Sequence, residues 1–206
     1  MSLLDIICTD VRKSIGDFDD MNVKIPGLEY DKVKTSFFDP INVVGYQQRA
    51  FTLYWLMREY ERTKGIGLDI GCGQVISPFC IGADFYSGSN HPEYGGVYRP
   101  HVRCLGETLP FKNETFDFIM SLHSLEHMRN TVETIKEWLR VLKKGGKIIV
   151  VMPDRKYGPS ADRGHAREYT ADKFRAILNN ISNIRILEHD TFRNHFSFNT
   201  LIEKII

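Results

Sequence analysis

Residues 68–74 read LDIGCGQ, a short apolar run interrupted by an acid and followed by two glycines one residue apart. The run is a buried strand by type; Asp69 closes it, and Gly71 and Gly73 form the turn that follows. Glycine is needed in such a turn where a ligand must approach the backbone with no Cβ in the way. A dinucleotide-binding turn calls for a third glycine at position 76, where Ile76 stands. A phosphate loop calls for Gly-Lys-Ser/Thr, which is absent. The turn is therefore not built for phosphate, and a lone G-x-G is weak evidence: a tight strand–helix turn without a ligand is the alternative, still an equal one when the next strand is added.

The next apolar run, CIGADF (80–85), adds weight to a ligand. It ends in Asp84, whose carboxylate can accept hydrogen bonds from both hydroxyls of a ribose. Phe85 follows with a flat apolar face for an adenine. Further strands are expected at HVRCL (101–105), FDFIMS (116–121), GGKIIVVMP (145–153), IRILEHD (184–190) and HFSFNTLIEKII (195–206). Helices fall between them. Residues from Asn42 to about Lys64 lack proline and carry Val44, Phe51, Tyr54 and Trp55 toward one face. In RNTVETIKEWLRVLKKGG, Val132, Ile135, Leu139 and Leu142 form a stripe; Lys143 and Lys144 suit the last turn and Gly145 the stop. In TADKFRAILNNI, Phe174, Ile177, Leu178 and Ile181 repeat at helical spacing behind Thr170 as N-cap. Strands alternating with helices predict an α/β protein with a doubly wound, mostly parallel sheet and ligands at the carboxyl ends of its strands. The short link between the last two strands predicts an antiparallel hairpin at one edge.

SLHSLEHM (121–128) contains His123, Glu126 and His127 as H-x-x-E-H, a pattern shared with some zinc peptidases. On one helix His123 and His127 would lie i, i+4 and could share a metal. Here the trio follows a strand directly and precedes a helix, so a strand-to-helix loop is expected and no metal is assigned. Glu126 and His127 as a hydrogen-bonded pair shaping the loop, and His127 or His123 as a general base, remain open alternatives. A loop after the fifth strand, PDRKYGPSADRGHAREYT (153–170), crowds Arg155, Lys156, Arg163, His165, Arg167 and Tyr169. As a group these cations suit an acidic or phosphorylated acceptor such as a nucleotide-sugar, and His165 is another candidate base.

Composition narrows the class. The 206 residues suit one main domain. With 27 Lys plus Arg against 26 Asp plus Glu, a net charge of +1 offers no long-range field for nucleic acid, which weighs against such a partner. Cys8, Cys72, Cys80 and Cys104 show no C-x-x-C spacing, so neither a zinc ribbon nor a redox pair is indicated. No stretch approaches membrane-spanning length, and the expected setting is soluble and cytoplasmic.

Taken in order, GLDIGCG, GADF, GETLPFKNETFDFIMSLHSLEHM and LKKGGKIIVVMP resemble the class I S-adenosylmethionine-dependent methyltransferases. They are most similar to the subgroup with L-P-F before the fourth strand and L-E-H after it, and the likeness covers about residues 66–153. The resemblance implies a Rossmann-like sheet of seven strands, the last antiparallel, and S-adenosyl-L-methionine as cofactor. It also implies roles by position. Asp69, Gly71, Cys72 and Gly73 would hold the methionine end, Asp84 the ribose, and Phe85, Leu105, Gly106 and Glu107 the adenine. Ser121, Leu122 and His123 would lie beside the methionine amine and the reactive methyl.

Two departures stand out. Ten residues, 74–83, leave little room for the helix usual between the first two strands. Leu105 stands where relatives carry an Asp for the adenine amino group. The expected domains are an N-terminal extension, 1–41, whose Tyr30, Phe37 and Phe38 are lid candidates with Tyr46, and a catalytic domain, 42–206. The expected activity is methyl transfer to a small-molecule acceptor such as a sugar or glycan-precursor hydroxyl. The alternative is a non-catalytic cofactor-binding or scaffold protein that keeps the fold.

Overall fold

The computed structural model describes residues 40–91, 95–158, 164–191 and 196–205. Residues 1–39, with the lid candidates Tyr30, Phe37 and Phe38, and the side chain of Tyr46 lie outside the described residues. Residues 51–206 form one compact unit.

The first described element is helix α1, Pro40–Thr63. Nine strands follow: β1 Gly67–Ile70, β2 Cys80–Asp84, β3 Gly88–His91, β4 Gly95–Tyr98, β5 Val102–Arg103, β6 Phe116–Leu122, β7 Leu142–Pro153, β8 Ile184–His189 and β9 Ser197–Lys204. Helix α2, Thr131–Val141, lies between β6 and β7, and α3, Ala171–Leu178, between β7 and β8. Seven strands form one sheet in the order β5-β2-β1-β6-β7-β9-β8. β1 pairs in parallel with β2 and β6, and β6 with β7, whereas β9 runs antiparallel to both β7 and β8. This is the doubly wound sheet expected from the alternation of elements, with the late hairpin at its edge.

Each face of the sheet has its own core. α2 and α3 cover one face through Ile135, Trp138, Leu139, Phe174 and Leu178, packed on Leu68, Ile70, Ile119, Ile148 and Val150. Leu56 of α1 covers the other with Phe118, Met120, Ile149 and Leu201, and Phe51, Trp55 and Tyr60 pack at its margin. All four residues of β1 are buried, as a central parallel strand requires.

Three differences from the sequence reading have physical causes. On α1 the deeply buried stripe includes Thr52, Leu56 and Glu59, while Phe51 and Trp55 are only half-buried. Glu59 is tolerated there because Lys147 of β7 donates to its Oε1 at 2.7 Å and Arg62 to its Oε2 at 2.5 Å. α2 ends at Val141, so Lys143 and Lys144 are not its last turn. Leu142 turns extended (φ −82°, ψ 136°), which buries it beside Phe116 and sets Lys143 Nζ on the Asp117 carboxylate at 2.9 Å. The hairpin β3–β4 was not anticipated. Its glycines weaken the strand signal in the sequence.

The short 74–83 segment behaves as expected: no helix joins β1 to β2. Phe79, at φ 61°, instead stacks on Tyr60 of α1 with ring centroids 3.8 Å apart.

Removing Lys147 leaves Glu59 Oε1 without its buried partner, with only Arg62 on Oε2. Lys147→Met is expected to cost about 3 kcal/mol in urea unfolding, and the double variant Glu59→Leu/Lys147→Met to recover most of it. Equal losses in single and double variants would show that the pair does not hold α1 to the sheet.

Candidate active site

The carboxyl ends of β1, β2 and β6 open into a cavity of about 440 Å³, within the ~300–1,000 Å³ usual for ligand pockets. Gly71 and Gly73 enter it with left-handed backbones, φ 71° and 60°. A Cβ on Gly71 would overlap the Ser124 side chain, so this glycine is fixed by packing as well as by φ.

Asp84, at the tip of β2, organises the floor. Its Oδ2 accepts from Gly73 N and its Oδ1 from Tyr86 N, each at 2.9 Å. Each carboxylate oxygen offers more than one acceptor site. Capacity therefore remains toward the cavity, which Asp84 lines although it is only 8% exposed. Phe85 stands beside it, half-exposed, with Arg103 over its ring at 5.7 Å.

Leu105, Gly106 and Glu107 complete this wall. Gly106 O accepts from Trp138 Nε1 at 2.8 Å, and a Cβ on Gly106 would overlap Met128. Glu107 Oε1 accepts from Arg129 N and, at 3.3 Å, from Asn130 N. Its carboxylate thereby secures the start of α2.

At the far end β6 gives way to a left-handed residue, His123 at φ 51°, and then to a 3-10 turn, Leu125–His127. The three residues of H-x-x-E-H thus do not share an α-helix. His123 and His127 line the cavity. Glu126 points inward, 2% exposed, with Oε1 3.5 Å from His123 Nδ1. The loop after β7 adds His165, whose ring lies edge-on to His127 with centroids 4.9 Å apart. Its Nε2 is 3.9 Å from Glu126 Oε1, and its neighbour Gly164 lines the cavity.

Several of the expected site residues do not line the cavity. Asp69 does not line the cavity; its Oδ2 accepts from Ser77 N at 2.8 Å and so anchors the 74–79 turns from behind the glycine loop. Burial pushes its carboxyl above the usual carboxylate range, and the nearby Asp84 charge acts in the same direction. Cys72 is buried, and desolvation with help from Asp69 and Asp84 pushes its thiol up to about 12, so it stays protonated at neutral pH. Ser121 is wholly buried, and neither it nor Leu122 lines the cavity; the strand's alternation turns Ser121 into the core. Of the cation cluster, Arg155 pairs with Glu168 at 2.8 Å, and Arg163 lies outside the described residues.

The sequence reading missed other wall residues, among them Tyr86, Tyr98, Cys104, Ser124 and Met128. Tyr86, adjoining Phe85, was findable by position. Tyr98 arrives on the unforeseen hairpin, its ring 6.0 Å from that of Tyr86.

The strand order and the glycine-and-acid crevice define a class I methyltransferase fold. Residues 68–150 match the family described as "Methyltransferase domain", a match that supports the class I S-adenosylmethionine-dependent methyltransferase resemblance. Among curated proteins, the chain is 35% identical over 130 residues to an uncharacterised protein of Methanocaldococcus jannaschii, covering 62% of this chain and 58% of that one. It is 28% identical over 144 residues to the tRNA (carboxymethyluridine(34)-5-O)-methyltransferase of Saccharomyces cerevisiae, covering 63% and 50%. The chain thus spans about half the length of these relatives. Among solved structures, a SAM-dependent methyltransferase from Aquifex aeolicus superposes with a TM-score of 0.52 at 13% identity, covering 82% of this chain and 100% of that one. Among the described residues no helix is long and apolar enough to cross a membrane.

A pH series tests the burial of Asp69. Its folded-state pKa is raised above the unfolded value of 3.8. The unfolded chain therefore releases this proton first as pH rises. The resulting destabilisation is absent below 3.8, grows through the window up to the folded value, and is complete above it. Asp69→Asn is expected to melt higher than the wild type at pH 7, with the gap closing toward pH 4. A variant that melts lower at pH 7 would show that the ionised carboxylate is needed to hold the Ser77 turn.

Proposed function

We propose that this chain is an S-adenosylmethionine-dependent methyltransferase whose acceptor is an oxygen of a small molecule, with a sugar or glycan-precursor hydroxyl as the leading class. The observation that carries the reading is the Asp84 carboxylate, which binds the glycine loop while still facing the cavity. The residues fit the cofactor. Gly71 and Gly73 leave the backbone bare, Asp84 would take the ribose hydroxyls, and Phe85 with Leu105 would flank the adenine. With Leu105 in place of an acid, the adenine amino group would turn to backbone around Gly106.

The bound cofactor supplies a methyl group made electrophilic by the adjoining sulfonium. The protein's remaining tasks are to place an acceptor oxygen in line with that methyl and to take up the acceptor proton. His123 and His127 line the end of the cavity beyond the glycine loop, where an acceptor would enter. His123 Nε2 lies 3.4 Å from Ser197 Oγ, which restrains its ring. An alcohol, with its high pKa, gains most from such a base. The yeast relative's name also specifies transfer to an oxygen, on a tRNA nucleoside. The near-neutral charge of this chain gives little support to a polyanionic acceptor.

Calorimetry with S-adenosylhomocysteine should give one site per chain. Asp84→Ala should weaken it by at least about 100-fold, the lower end of what two hydrogen bonds to a charged acceptor are worth. Unchanged affinity in that variant would contradict the assignment of the crevice. Release of S-adenosylhomocysteine from S-adenosylmethionine with hydroxylated acceptors would establish turnover. Tight binding without turnover across a broad acceptor panel would favour the scaffold alternative.

A further inference from the structure

We infer that Glu126, His127 and His165 form a binding site for a borderline divalent transition-metal ion, of the Zn2+ or Fe2+ kind, in the wall of the cavity. The ligand atoms of these three side chains all lie within 4.8 Å of one another. The first two come from the 3-10 turn after β6 and the third from the loop after β7, so the pairing is not that of a helical H-x-x-E-H.

A second observation points the same way. Glu126 is 2% exposed, and neither carboxylate oxygen has a hydrogen-bond partner among the described residues. A buried carboxylate left without hydrogen bonds is costly, and a cation is the direct compensation. The 3.9 Å between Glu126 Oε1 and His165 Nε2 is too long for a hydrogen bond. Two atoms that each sit about 2.0–2.2 Å from one ion can be up to about 4.4 Å apart, so 3.9 Å is within reach of a shared ion, which would draw the pair closer.

The scaffold holds these residues in place. Arg167 N donates to Glu126 O at 3.0 Å, and Arg155 N to Tyr169 O at 2.8 Å, so backbone bonds on both sides fix the loop that carries His165. Thr131 Oγ1 and Tyr169 Oη, 3.0 Å apart, tie the same loop to α2.

Two imidazoles and one carboxylate select a borderline ion over Mg2+ or Ca2+, which prefer all-oxygen shells. Three protein ligands also leave a coordination position open. His127 lines the cavity, so the site adjoins the space for the acceptor. Resting on the methyltransferase reading, the metal would bind the acceptor oxygen and lower its pKa, and His123 would remain to receive the proton.

The test uses the full-length, untagged protein freed of metal with a chelator. Co2+ is titrated and followed by its visible d–d absorption, alongside calorimetry with Zn2+ and with S-adenosylhomocysteine. One equivalent of Co2+ should bind with a visible band, Zn2+ should displace it, and equimolar Mg2+ should not. His165→Ala and Glu126→Gln should each weaken Co2+ binding at least roughly tenfold, since even outer-shell partners of a ligand are worth that much. Far-UV circular dichroism identifies variants that fail to fold, and His165→Ala alone is then decisive, because its loop position leaves the sheet intact. Absence of the band, displacement by Mg2+, or unchanged affinity in a folded His165→Ala protein would overturn the site. S-adenosylhomocysteine binding separates the two readings. If it binds and Co2+ does not, the metal inference alone fails; if Co2+ binds and it does not, the methyltransferase reading fails and the metal site stands.

Discussion

The carboxylate of Asp84 is the pin on which the carboxyl edge of the sheet is assembled. It accepts from Gly73 N on one side and Tyr86 N on the other, joining the turn after β1 to the chain leaving β2. Burial alone would disfavour such a charge, and these two N–H groups offset that cost. β1 and β2 are adjacent parallel strands, so a short bond suffices to close the crevice between them. The turn that delivers Gly73 N to Asp84 passes through left-handed backbones at Gly71 and Gly73. Gly71 N and Cys72 N add to this closure by donating to Ala83 O at 2.8 and 3.3 Å.

The opposite end of the cavity is built by a different device. At His123 the chain leaves β6 in a left-handed conformation that a non-glycine residue adopts only under constraint. His123 N still donates to Val151 O at 2.9 Å, so the sheet holds this residue while its side chain turns toward the cavity. The 3-10 turn that follows buries Leu125 and Glu126 and presents His127. Backbone strain, a buried acid and three imidazoles are thereby concentrated within one turn of chain and one facing loop. Strain and uncompensated polarity of this kind accumulate where chemistry is done.

The architecture was legible in the sequence because it follows from periodicity. Buried parallel strands announce themselves as continuous apolar runs, and α2 and α3 carry helical stripes with good N-caps at Asn130 and Thr170. The missing helix between β1 and β2 was legible from chain length alone. The failures share a physical origin in tertiary pairing. Glu59 reads as a surface residue until Lys147 is placed opposite it. Leu142 reads as helical until Phe116 is available to pair with it. Of the expected site residues, Gly71, Gly73, Asp84 and Phe85 line the cavity, where local geometry at the strand ends sets their direction. Asp69, Cys72 and Ser121 do not line it, because neighbouring residues on a strand or tight turn point to opposite sides, and one step decides between cavity and core. The approach of His165 to Glu126 joins residues far apart in the chain and had no local signal.

A crystal structure of the protein with S-adenosylhomocysteine tests the central claim most directly. The account predicts both ribose hydroxyls on the Asp84 carboxylate, the adenine beside Phe85 and the sulfur directed toward His123 and His127. A nucleoside bound away from Asp84, or a crevice that stays closed by the protein's own side chains at saturating ligand, would contradict it.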